Sequence, residues 1–153
     1  MLNIIPNGQV SEADVCVLEH KLGFPLPDDY RTFLKESNGG EAEDYQSFFV
    51  KSLAQEILVH VFFGVDQPVR SQNLQFWADE FRDDLQEGAF IFGRDPGGAL
   101  LTYITTGEDK GIYLWDHAHV FPNSTEEDGN TYYVADSFAE FSAKVEPFVE
   151  ADQ

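Results

Sequence analysis

The residues in this chain best suited to chemistry by type and spacing are Asp116-His117-Ala118-His119. Along an extended strand, His117 and His119 point to the same face, as a pair of metal ligands does. Such a pair would suit a metal-dependent hydrolase in which the ion activates water. A metal needs a third ligand and usually a fourth, and Asp116, Asp95, His60 and His20 are the residues that could supply them. Nothing in the spacing makes these converge, so the run reads more simply as a strand end with surface imidazoles. Gly93-Arg94-Asp95-Pro96-Gly97-Gly98 has the outline of a phosphate loop. It lacks the Lys-Ser/Thr ending, and a strand follows where a helix N-terminus should present its amides. Cys16 is alone, which excludes an intrachain disulfide and a cysteine-based metal site. It reads as a small packed or half-exposed thiol, with His20 one helical turn away. Serines and threonines fall outside any nucleophile-elbow context. The expectation is a protein that is not an enzyme and holds no metal and no cofactor.

What the side chains do offer is charge. There are 28 acidic residues against 9 basic ones, a formal net charge of -19. Such a field repels DNA, RNA and anionic lipid, whose phosphates are bound by Lys and Arg. It attracts basic proteins and speeds their encounter at low salt. The carboxylates gather in two places, Asp79, Glu80, Asp83, Asp84 and Glu87 around a lone Arg82, and Glu41, Glu43 and Asp44. Both groups are candidate partner-binding patches. The simpler alternative is that each is a solvated face, and that acidity keeps the chain dispersed or suits a salty habitat. A third acidic knot, Glu126-Glu127-Asp128, sits in an expected loop. Tyr45 and Trp115 are anchor candidates if exposed, because aromatic residues dominate interface hot spots. Core packing is the better reading for Trp115.

The elements that must position these residues centre on Phe90 to His119. Phe90–Gly93, Ala99–Thr105 and Gly111–Trp115 read as three strands of an antiparallel meander, joined by turns at Asp95–Gly98 and Thr106–Lys110. In the first turn, proline presets φ at the second position and Gly97 supplies the positive φ of a type II turn. Ser11 to Leu22 reads as an amphipathic helix opened by a capping box and ended by Gly23. Pro27 starts a second helix with Asp28 and Asp29 in its first turn, and Tyr30, Phe33, Leu34 and Ser37 on one face. Asn38-Gly39-Gly40 stops it. Glu41 to Asp44 reads as a solvated loop, and Gln46–Leu53 and Glu56–Phe63 as strands. Leu74, Trp77, Phe81 and Leu85 give a helical stripe with the acidic residues on its other side. Thr131–Ala135 is a last strand. Ser137 and Glu140 cap a last helix with Phe138, Phe141, Val145 and Phe148, which Pro147 frays or stops.

At 153 residues the chain is the size of one domain and can bury roughly 70% of its unfolded surface. Met1 to Pro6 has neither a basic region nor a long apolar run, so no signal peptide is expected. The most apolar stretch, Ile57 to Val65, is interrupted by His60 and Gly64 and is far short of the about 20 residues of a membrane span. A cytoplasmic protein is the simplest account.

Leu22-Gly23-Phe24-Pro25-Leu26-Pro27-Asp28-Asp29-Tyr30, followed by Phe33-Leu34 and Asn38-Gly39-Gly40, resembles the signature of the SMI1/KNR4 domain of the SUKH superfamily. Phe92 to Gly98 and Ile112 to His117 resemble that family's second and third motifs, in the right order. The resemblance covers about Ser11 to Val149. It implies an α+β fold, a central mostly antiparallel twisted sheet with helices packed around it, over residues 1–153 as a single domain with a core of about 11–149. It also implies a protein-binding scaffold without catalysis. Many bacterial members are immunity proteins that block polymorphic toxins, often nucleases, by binding them. Fungal members are larger regulators of cell-wall synthesis. The resemblance therefore implies an immunity protein that occludes a cognate basic toxin, with a regulatory adaptor for an endogenous protein as the alternative. Pro27, Tyr30, Gly39, Gly93 and Gly97 each have a backbone or packing task in this reading. The motifs do not locate the partner, and the oligomeric state is left open.

Overall fold

A computed structural model of the protein describes residues 1–116 and 131–148. In chain order the elements are β1 (Ile4–Pro6), α1 (Glu12–Leu22), α2 (Asp28–Ser37), β2 (Gly40–Ala42), β3 (Gln46–Val50), β4 (Gln55–Leu58), β5 (Val61–Phe62), a 3-10 turn (Arg70–Gln72), α3 (Leu74–Glu80), β6 (Ala89–Arg94), β7 (Leu100–Ile104), β8 (Gly111–Trp115), β9 (Thr131–Ala135), α4 (Phe138–Lys144) and β10 (Glu146–Pro147). Seven strands form one sheet in the order β1-β2-β5-β6-β7-β8-β9, with every neighbouring pair antiparallel. The strands β10, β3 and β4 form a second antiparallel sheet. The expected α+β architecture is present, and the meander β6-β7-β8 lies inside the larger sheet.

The helices form where the caps place them. Ser11 accepts the Asp14 N–H at 3.1 Å to open α1, and Gly23, with φ of 91°, closes it. Ser137 accepts the Glu140 N–H at 3.1 Å to open α4. The α2 helix buries Tyr30 and Leu34. The Tyr30 ring sits 4.9 Å from that of Phe90 and 5.4 Å from that of Phe138, so α2, α4 and the sheet meet at one side chain. Neighbouring Phe62 and Phe63 serve different clusters: Phe62 meets Phe33, Phe92 and Phe141, whereas Phe63 stacks on Trp77 of α3 at 5.1 Å. Alternation of side chains along an extended segment is the reason one strand can serve two layers.

Asn38 ends α2 in the left-handed region with φ of 52°. Its amide Nδ2 donates to the Val65 carbonyl at 3.0 Å and its Oδ1 accepts the Val65 N–H at 2.7 Å. The side chain thus pairs with Val65 as a strand backbone would. Gly39 follows with φ of +72°, and a Cβ there would lie 2.4 Å from the Phe62 carbonyl oxygen. The Asn38-Gly39-Gly40 motif is therefore the place where α2 docks on the sheet, beyond merely stopping the helix.

Several expectations are corrected. The positive φ in the β6–β7 turn falls at Gly98 (+94°), not at Gly97. Gly98 N–H donates to the Asp95 carbonyl at 3.2 Å, Asp95 N–H to the Ala99 carbonyl at 2.9 Å, and Ala99 N–H to Asp95 Oδ1 at 2.8 Å. This is a three-residue hairpin loop in which a left-handed residue follows the turn. The span Glu56–Phe63 is two strands, because the chain changes sheets. Val59 N–H still bonds the Gln46 carbonyl at 3.0 Å, while the His60 carbonyl accepts the Ala42 N–H at 2.9 Å. Glu41 lies in β2, between β1 and β5, and not in a loop. α4 does stop before Pro147, at Lys144, and Pro147 itself pairs with Gln46 in β10, so the chain past the helix is a sheet edge.

Candidate protein-binding surface

The first acidic patch is built on α3 and the turn after it. Leu74 is buried, Trp77 donates its indole N–H to the Ser71 carbonyl at 2.8 Å, and Trp77 stacks on Phe81 at 5.9 Å. Phe81 in turn meets the edge of Trp115 at 5.0 Å. The helix stops at Glu80, short of the stripe, and Leu85 is carried inward by a turn in which its N–H bonds the Phe81 carbonyl at 3.0 Å. Asp79, Glu80, Asp83, Asp84 and Glu87 are all exposed. They straddle a helix end and a turn and do not line one helix face. Asp79 Oδ1 is already engaged, accepting from Gln75 Nε2 and Arg82 Nη2, each at 2.8 Å. Beside this patch an open cleft of about 340 Å³ has Leu22, Phe24, Ala78 and Leu85 among its lining residues, with Asp79, Glu87, Lys21 and Arg82 contributing charge.

The second patch holds together differently. Glu41, Glu43 and Asp44 are exposed, on β2 and the segment leading to β3. Glu43 is positioned by its N–H bond to the Asn3 carbonyl at 3.2 Å. Tyr45, next in the chain, is 76% exposed and so meets the condition set for an anchor. Trp115 packs against the core as expected.

Ion pairs account for several of the few cations. Arg31 Nη2 lies 2.6 Å from Glu12 Oε1, Arg31 Nε 3.2 Å from Glu19 Oε2, and Lys35 Nζ 2.8 Å from Glu12 Oε2. Hydrogen bonds from Arg31 and then from Lys35 hold the Glu12 carboxyl down to about 2. Tyr103 is pushed up to about 12, first by burial and then by the charge of Asp29. With 28 acidic residues against 9 basic ones, the outward field is dominated by carboxylate.

Among the described residues, no three His, Cys, Asp or Glu side chains gather as a metal would require. His117 and His119 lie outside the described residues, as does Glu126-Glu127-Asp128. His60 is partly buried with its Nδ1 atom unpartnered. Cys16 is exposed, with Arg31 Nη2 3.9 Å from its Sγ. The Gly93–Gly98 run is the end of β6 and its turn into β7. Among the described residues no helix is long and apolar enough to cross a membrane.

The chain is an α+β scaffold with an antiparallel sheet, helices packed against it, and acidic surface patches. The family is specific: the SMI1 / KNR4 family (SUKH-1) model matches residues 9–144, and the chain belongs to this family. A search of the curated proteins gives no match.

Proposed function

We propose that this chain is a non-catalytic binding domain of the immunity type. It neutralises a cognate basic toxin domain, of which a nuclease is one kind, by sitting on it in the cytoplasm. Residues 1–153 form a single domain in this reading. The observation that carries it is membership of the SMI1 / KNR4 family joined to a net charge of -19. Asp79, Glu80, Asp83, Asp84 and Glu87, with Glu41, Glu43 and Asp44, supply the negative surface, and their exposure supports this. Charge complementarity steers the encounter, and steric blockage does the rest. Nothing is transformed, and no metal is used. The test is co-purification with the product of the adjacent gene, followed by an assay of that product's toxicity with and without this chain. A complex with an endogenous partner and no toxin would turn the reading to a regulatory adaptor.

A further inference from the structure

We propose that the outward face of the β10-β3-β4 sheet is where the basic partner docks, and that this face takes arginine side chains. This rests on the reading of the chain as a binder of a basic protein. In the strand register Ser47 is opposite both Leu58 and Glu146, and Phe49 is opposite Glu56. The Phe148 N–H bond to the Tyr45 carbonyl, at 2.8 Å, extends that pairing one residue further. Directly paired residues share a face, as do residues two apart on a strand. Tyr45, Phe49, Leu58 and Phe148 therefore lie on one side of this sheet together with Glu56 and Glu146. The alternating residues Phe48 and Val50 are buried in the core, so the first set faces outward.

That side is largely open, although Ser47 at its centre is only 5% exposed. Tyr45 is 76% and Phe49 47% exposed, Glu56 and Glu146 are exposed, and Leu58 and Phe148 are half-buried. Several apolar side chains on one open face with a polar rim mark an interaction surface where a single exposed ring would not. Its chemistry names the occupant. Ring faces beside carboxylates suit a guanidinium, which stacks on the ring and forks onto the carboxylate. The Ser47 hydroxyl holds Glu56 Oε2 at 2.8 Å, fixing that carboxylate in place. Glu43 and Asp44 extend the negative rim beyond Tyr45, and Lys51 stands in the β3–β4 turn at the opposite end. A second copy of the chain fits worse, since a two-fold pairing would bring the same carboxylates of both copies together. The α3 patch fits worse too. Its rings, Phe76, Trp77 and Phe81, are half-buried, and Asp79 is already paired with Arg82.

The test is an amide-resolved titration of the full chain with a short peptide of alternating arginine and serine, and with its lysine counterpart, at low and moderate salt. The expected result is perturbation centred on Tyr45, Phe49, Glu56 and Glu146, with arginine binding roughly fivefold tighter than lysine. The Tyr45→Ala/Phe49→Ala variant, with an amide spectrum showing the fold intact, should bind roughly tenfold more weakly. Perturbation confined to Asp79–Glu87, unmoved by that variant, overturns this surface and leaves the basic-partner reading standing. Dimerisation abolished by Phe49→Glu overturns it in favour of a second copy. Binding of neither peptide at low salt counts against the basic-partner reading itself, and this surface goes with it.

Discussion

Asp29, in the first turn of α2, accepts the backbone N–H of Ala139, in the first turn of α4, at 2.9 Å. Its other carboxylate oxygen accepts the Tyr30 N–H at 2.7 Å and is approached by the Tyr103 hydroxyl of β7 at 3.4 Å. One side chain thus holds an amide in the first turn of its own helix, another in the first turn of a helix far along the chain, and touches the sheet. Asp29→Ala leaves the Ala139 donor without its acceptor and should lower unfolding free energy by about 1–3 kcal/mol. Asp29→Asn retains one acceptor oxygen and should cost less. Urea denaturation of the two variants checks the order.

Gly39 combines a left-handed backbone with a carbonyl in the space a side chain would fill. Gly39→Ala should therefore destabilise by at least about 2 kcal/mol, beyond the usual loss for a strained φ alone. Gly98, also left-handed, meets nothing within 4 Å, so Gly98→Ala should cost less than Gly39→Ala. Equal losses at the two positions would show that the close approach to Phe62 is not what matters.

Stability should fall in acid through the Glu12–Arg31–Lys35 cluster. The folded-state carboxyl of Glu12 is held near 2, below its ordinary value of 4.5. Its contribution is full above the ordinary value and is lost as pH falls from there towards 2. Glu12 is exposed, so salt should weaken the effect. Arg31→Gln should flatten this part of the pH dependence, read as the urea midpoint measured across that window.

Added salt should raise the melting temperature, because the chain's excess carboxylates repel one another in the compact state. A scan from low to moderate ionic strength reads this directly. No rise would mean that the charges are too widely spread to strain the fold.

Reversing Asp79, Glu80, Asp83 and Asp84 to lysine should slow association with a basic partner by roughly tenfold at low salt. These side chains are exposed and Asp79 alone among them is in an ion pair with Arg82, so the fold should survive. Stopped-flow association rates, with a melting curve as control, check both halves.

The sequence made the capped helices and the meander legible because their signals are local. Ser11, Gly23 and Ser137 act within a turn of themselves, and β8 occupies the span its residues suggest. β1 and β10 were hidden because each is a short edge strand containing a proline, and their register is set by Gly40–Ala42 and Gln46–Ser47 far away in the chain. The α3 stripe shows periodicity overreaching: Phe81 and Leu85 do reach the core, but by a turn that satisfies the same contacts as a longer helix. The exposed carboxylates could be found from composition. Tyr45 stands out in the sequence as an anchor candidate, but that Phe49 faces outward beside it does not, because Phe48-Phe49-Val50 reads as one apolar run and conceals which residue faces water.

The decisive assay is toxicity of the adjacent gene's product, measured alone and with an excess of this chain across a range of salt. A stoichiometric complex should form, silence the toxin and assemble more slowly as salt rises. A toxin that stays fully active beside saturating chain, with no complex at low salt, would contradict it.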